Sequence, residues 1–244
     1  MKWILVLSMA MMASSLQARN ADRAWEILKQ TRQEIFLITA YDSEGIDAGH
    51  GSGFKILDSK NRPRIITAGH ICRGYDGTLK VNITPRGKPI SIGIVTSFRT
   101  SPVADLCELT VKWNKPKLMM KSGLKLAKKA VRNEYVFIVG YPKVPYMTSM
   151  FGRLKGLGKV HLPAPWVTKT TECIASPKYH YHELVCYMDV KSFETTVPTM
   201  GGASGGPLLN NIGEVVGSVV AADLQISWSS TSILKDLREF LATP

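Results

Sequence analysis

The chain has 244 residues, 45% hydrophobic and 20% charged, with a formal net charge of +12. That balance excludes intrinsic disorder and leaves room for one large domain or two small ones with buried cores. The positive excess suits an anionic neighbour, or simply solubility; with no arginine-rich tract or nucleic-acid motif beside it, no specific nucleic-acid partner is expected.

The opening residues, MKWILVLSMAMMASSLQA, set Lys2 ahead of an apolar run from Trp3 to about Ala13, then small and polar residues. This is the order of a secretory signal peptide, so residues 1–18 are expected to be a leader and the mature chain to be secreted or periplasmic. An uncleaved anchor or a buried N-terminal helix is the alternative. Residues 21–34 place Ala24, Ile27 and Leu28 at roughly helical spacing.

From there the character changes. EIFLITAYD, GSGFKIL, RIITAG, LKVNIT, ISIGIVTSF, DLCELTV, YVFIVGY, EVVGSVVAA and QISWSS are short runs rich in β-branched residues, divided by Gly, Pro, Asp and Asn. Many short strands with turn signals between them predict an all-β barrel or sandwich. A helical pattern returns in TSILKDLREFLA. Lysines at 112, 115, 117, 121, 125, 128 and 129 make segment 112–129 basic: either a solvated connection or a patch for an anionic polymer or membrane surface.

Export would make the four cysteines candidates for two disulfides. Of the three pairings, Cys173 with Cys186 is expected, because they flank the short polar segment CIASPKYHYHELVC; Cys72 and Cys107 are then left over, and free thiols are the alternative. The alternating His180 and His182 in that segment match no standard zinc spacing, so no metal and no cofactor are expected.

The densest glycine stretch, TMGGASGGPLLN, surrounds Ser204. Glycine loses more backbone freedom on folding than other residues, so the concentration calls for a reason. A tight turn here would aim the N–H groups of Gly202 and Ser204 at one spot beside a nucleophile, which is what acyl transfer requires. A plain glycine turn is the alternative. RIITAGHICRG delivers His70 just past a β-rich run, and SPVADLCELTV puts Asp105 at the head of another. Each alone is unremarkable, but their order, His, Asp, Ser, is one of the known chain orders of a catalytic triad.

These motifs resemble those of trypsin-like serine proteases: TAGHIC their histidine motif, DLCEL their aspartate motif, GASGGP their GxSGGP motif. GSGFKIL and the run to Gly140-Tyr141-Pro142 are similar to HtrA-type bacterial members. The resemblance implies two packed six-stranded antiparallel barrels with short N- and C-terminal helices. The N-terminal barrel would span about 35–112, the C-terminal barrel about 124–232 and the last helix about 231–242, all within a protease domain over 19–244. It further implies a serine endopeptidase acting on protein or peptide substrates, with Ser204 as nucleophile, His70 as base, Asp105 as its orienter, and the N–H groups of Gly202 and Ser204 as oxyanion hole. The pocket walls would be Val197, Pro198 and Thr199 facing Val220 and Ala221, with no carboxylate at the expected base, which favours a small or medium apolar substrate side chain. Asp223 near the rim keeps a basic preference open.

Three departures stand out. Ala203 replaces the acidic residue that pairs with a new N-terminus in digestive-type members, so the site is expected to form without that trigger, as in HtrA-type proteases. Cys72 follows His70 by two positions instead of one, and the GSGF strand carries no cysteine. Nothing after the barrels is long enough for a PDZ domain. The competing reading is a catalytically silent homologue serving as a binding module.

Overall fold

The computed structural model describes residues 18–73, 77–84, 88–101, 103–114, 122–143, 145–164, 172–175, 184–223 and 228–243; the side chains of 73, 143, 160–189 and 221–230 are not described. The expected leader therefore lies almost wholly outside the described residues, as do Lys115, Lys117, Lys121, His180 and His182.

A helix, α1 (18–31), opens the described chain and tightens into a 3-10 turn at Arg32–Glu34. Six strands follow: β1 (Ile35–Tyr41), β2 (Asp47–Leu57), β3 (Pro63–Thr67), β4 (Thr78–Ile83), β5 (Ile90–Thr100) and β6 (Cys107–Trp113). A short helix, α2 (Gly69–Arg73), sits between β3 and β4. The strands close into an antiparallel barrel in the order β1-β2-β3-β6-β5-β4, leaving no open edge.

The second half comprises β7 (Tyr135–Lys143), β8 (Tyr146–Ala164), β9 (Glu172–Ala175), β10 (Leu184–Thr195), β11 (Pro207–Leu209), β12 (Val215–Asp223) and β13 (Trp228–Ser232), then helix α3 (Leu234–Ala242). The sheet runs β13-β12-β11-β7-β8-β10-β9, and a further β10–β13 pairing closes six of its strands into a second barrel. β10 is long enough to serve two partners along one edge: Ser192–Thr195 pair with β13, whereas Leu184–Tyr187 pair with β9. The expectation of two six-stranded antiparallel barrels is met, with β9 as an addition. Helix α3 begins later than expected, because Thr231 and Ser232 belong to the closing strand.

Alternation along the strands builds the core in three parts. On β1, Phe36, Ile38 and Ala40 fill the first barrel while Ile35 and Leu37 face a seam between the barrels. On β7, Val136 and Ile138 fill the second barrel while Phe137, Val139 and Tyr141 face the same seam. Successive side chains of a strand point to opposite faces, so a strand apolar at every position is buried on both. Each such side chain taken from water contributes roughly 1.5–3 kcal/mol. Ala24 and Ile27 of α1 and Leu237, Phe240 and Leu241 of α3 complete the seam.

Charged contacts tie these parts together. Glu108 on β6 is gripped by Arg64 and, at 2.8 Å, by Arg99. Arg99 also donates to the carbonyl of Phe240 at 2.9 Å and stacks 4.2 Å from its ring, and Arg238 of α3 donates to the carbonyls of Ala127 and Lys128. Buried Lys55 meets Glu34 at 2.9 Å. The lysines at 112, 125, 128 and 129 are exposed.

Candidate active site

The pairing of β3 with β6 sets the site. Thr67, the last residue of β3, lies opposite Cys107, the first of β6. His70 comes three residues after Thr67 and Asp105 two before Cys107, so an antiparallel register brings both to one end of the barrel. The Asp105 carboxylate, 4% exposed, accepts the His70 backbone N–H at 2.7 Å through Oδ1 and approaches His70 Nδ1 at 2.6 Å through Oδ2. A carboxylate oxygen accepts, so Nδ1 is the donor in this contact and Nε2 is the ring nitrogen turned away from Asp105. The imidazole is 42% exposed and faces solvent.

A disulfide joins Cys72 to Cys107, with Cα atoms 6.5 Å apart. It fastens the residue two beyond His70 to the residue two beyond Asp105. It is the pair that remains when Cys173 is matched with Cys186. Cys173 and Cys186 stand directly opposite in the β9–β10 register, and their side chains lie outside those described.

The serine turn packs against the same end. Gly51 lies between Ile71, next to His70, and the Ser204 carbonyl, where an added Cβ would stand 3.1 Å from that oxygen. Gly202 and Gly205 have φ of +89° and +81°, which residues with a Cβ rarely adopt. Within the turn the N–H of Ala203 is bonded to Met200, that of Gly205 to Val219 and that of Gly206 to Ala203. Among the described residues, the N–H groups of Gly202 and Ser204 have no such acceptor. Ala203 is fully buried with Val197, Leu208 and Val219, so packing rather than an ion pair anchors this position.

Of the expected pocket residues, Val197, Thr199 and Val220 are buried and Pro198 is exposed; the side chain of Ala221 lies outside those described. Two residues near the serine turn went unnoticed in the sequence. The imidazole of His50 lies over Gly202, its Nε2 2.5 Å from where a Cβ would stand. Ser52 donates its backbone N–H to the Ser204 carbonyl at 2.7 Å. The only available signal was their position in the GHGSGF run preceding the histidine motif.

Among solved structures the chain is similar to the active form of the Rv3671c protease from M. tuberculosis, at 20% identity over 88% of this chain and 82% of that one, TM-score 0.61. It is also similar to Deg5, at 18% identity over 90% and 92%, TM-score 0.59. These likenesses concern the fold. No curated protein matches the chain by sequence. The family model described as a trypsin-like peptidase domain matches residues 51–217, from the GSGF strand through the serine turn and into β12. With more than half its length matched, the chain belongs to the trypsin-like peptidase family.

Proposed function

We propose that this protein is an exported serine endopeptidase that cleaves peptide bonds through an acyl-enzyme formed on Ser204. Ser204 Oγ attacks the scissile carbonyl carbon while His70 Nε2 takes its proton. The tetrahedral oxyanion is met by the N–H groups of Gly202 and Ser204. The C–N bond then breaks as His70 returns the proton to the leaving amine, and a water repeats the sequence on the ester to release the acid. Asp105 stays ionised throughout and stabilises the imidazolium.

The observation that carries this reading is the double grip of Asp105 on His70, through Nδ1 at 2.6 Å and the backbone N–H at 2.7 Å. The carboxylate fixes the ring through Nδ1 and leaves Nε2 facing away from Asp105, beside a glycine turn with two N–H groups that have no backbone acceptor among the described residues. Of the expected pocket residues, exposed Pro198 would stand at the site for the side chain before the cut, with Val197, Thr199 and Val220 packed behind it. A disulfide between buried cysteines suits an oxidising compartment.

An active-site-directed fluorophosphonate probe tests the proposal directly. The purified protein is expected to be labelled, and Ser204→Ala and His70→Ala to lose labelling and peptide hydrolysis while keeping the wild-type circular dichroism spectrum. Hydrolysis at the parental rate by either variant refutes the assignment; a wild-type protein that neither labels nor hydrolyses favours the binding-module reading.

A further inference from the structure

We propose that Ser52 is the positioning residue of the Gly202–Ser204 turn. The inference rests on the reading of Ser204 as nucleophile and adds a residue that never touches substrate. Ser52 lies on β2, fully buried. Its backbone N–H donates to the Ser204 carbonyl at 2.7 Å, and its hydroxyl donates to the Gly202 carbonyl, also at 2.7 Å. The same hydroxyl accepts the N–H of Tyr141 on β7 at 2.8 Å, and the Ser52 carbonyl accepts the Thr67 hydroxyl at 2.7 Å. One residue of the first barrel thus holds both ends of the turn, the strand end that leads to His70, and a strand of the second barrel.

Peptide planarity makes this grip consequential. Fixing the Gly202 carbonyl sets the plane between residues 202 and 203, and fixing the Ser204 carbonyl sets the plane between 204 and 205. The peptide between them carries the Ser204 N–H, one of the two turn donors without an acceptor among the described residues. Its own carbonyl, that of Ala203, is bound by the Gly206 N–H at 2.9 Å. The turn therefore has little freedom left to swing that donor away.

The surroundings are cut to admit this side chain. A Cβ on Gly140 would stand 2.5 Å from Ser52 Oγ, one on Gly206 would stand 3.3 Å from Ser52 Cβ, and one on Gly205 would run into the Ser52 carbonyl. Serine supplies one donor and one acceptor in the smallest volume available. Alanine fits the slot but binds neither Gly202 nor Tyr141.

Two variants test the role from opposite sides. Ser52→Ala removes the hydroxyl. Gly140→Ala keeps Ser52 but sets a Cβ 2.5 Å from its hydroxyl and 3.2 Å from its Cβ, which forces the hydroxyl off both partners from the neighbouring strand; it serves where Ser52→Ala does not fold. In both, deuterium uptake over 199–206 is expected to rise while β1, β3 and α3 exchange as in the wild type. The rate of fluorophosphonate labelling should fall by about 10- to 100-fold, the scale of a slightly misplaced catalytic group. The KM for a casein-derived peptide should change by less than about threefold, since ground-state binding is untouched. Wild-type exchange over 199–206, or a wild-type labelling rate, in either folded variant overturns the proposal. A wild-type chain that takes no probe refutes the nucleophile reading instead, and the exchange measurement still decides Ser52.

Discussion

The Cys72–Cys107 bridge offers the most quantitative test of how the histidine end of the first barrel is held. The variant Cys72→Ala/Cys107→Ala removes it without adding polar groups to two buried positions. The bonded residues are 35 apart in sequence. Closing a loop of that length in the unfolded chain removes about 13 cal/mol/K of entropy, or about 4 kcal/mol at 25 °C. For a protein of this size about 4 kcal/mol corresponds to a fall in Tm of roughly 8–16 °C. Urea titration followed by tryptophan fluorescence, wild type against double variant under non-reducing conditions, measures the difference, with the m-value expected to rise because the unlinked chain unfolds to a more open state. The bridge spans the residues just beyond His70 and Asp105, so peptide hydrolysis by the folded variant should fall as well. A double variant within about 1 kcal/mol of the wild type refutes the loop-entropy reasoning. Full activity refutes any coupling of the bridge to the His70–Asp105 pair.

Further outcomes follow from other contacts. Lys55→Met leaves the Glu34 carboxylate buried and unpaired and should cost about 3–5 kcal/mol by denaturant titration, whereas Lys55→Met/Glu34→Leu should recover most of it. Burial alone would raise the Asp58 pKa, but hydrogen bonds from the N–H groups of Arg62 and Lys60 and from the Arg62 guanidinium lower it from 3.8 to about 2. A carboxyl depressed in the folded state stabilises fully above its unfolded pKa and loses that effect as pH falls through the folded one. The wild type should therefore lose stability between about pH 4 and 2 more steeply than Asp58→Asn, and parallel curves would contradict this. Gly202→Ala forces a Cβ toward the Tyr141 carbonyl and the His50 ring at a φ of +89°. If the Gly202 N–H serves the oxyanion as proposed, its displacement should cut kcat by about a hundredfold, read on any cleavable peptide.

The sequence spoke clearly where chemistry demands rare residues in rare company. The His70–Asp105 pair and the tight turn around Ser204 were legible because a histidine past a β-branched run, an aspartate ahead of an alternating strand and clustered glycines rarely occur together in that order. Strands β1 and β7 were legible because both their faces are buried and apolar. β8 was not: Gly152, Gly156 and Gly158 and the lysines among them blur any alternation, and the strand owes its length to pairing with β7 and then β10. The Cys72–Cys107 bridge was legible only as the pair remaining beside Cys173 and Cys186, because it depends on the register of β3 against β6, which no local pattern encodes. Ser52 was hidden for a related reason. Nothing local marks a serine between two glycines in a strand, and its value emerges only when a segment 150 residues away closes over it.

The anchoring of α3 bears on what such an enzyme could digest. Arg99 holds the end of the last helix to the first barrel, Arg238 pins that helix to the connection between the barrels, and its apolar face fills the seam. The two halves are thereby strapped together through the last helix, so a cleft between them, as the family likeness implies, would have little freedom to widen. A peptide bond in a compact target would then be cut only once a stretch of that target had locally come undone, and the pace of digestion would be set by the looseness of the prey.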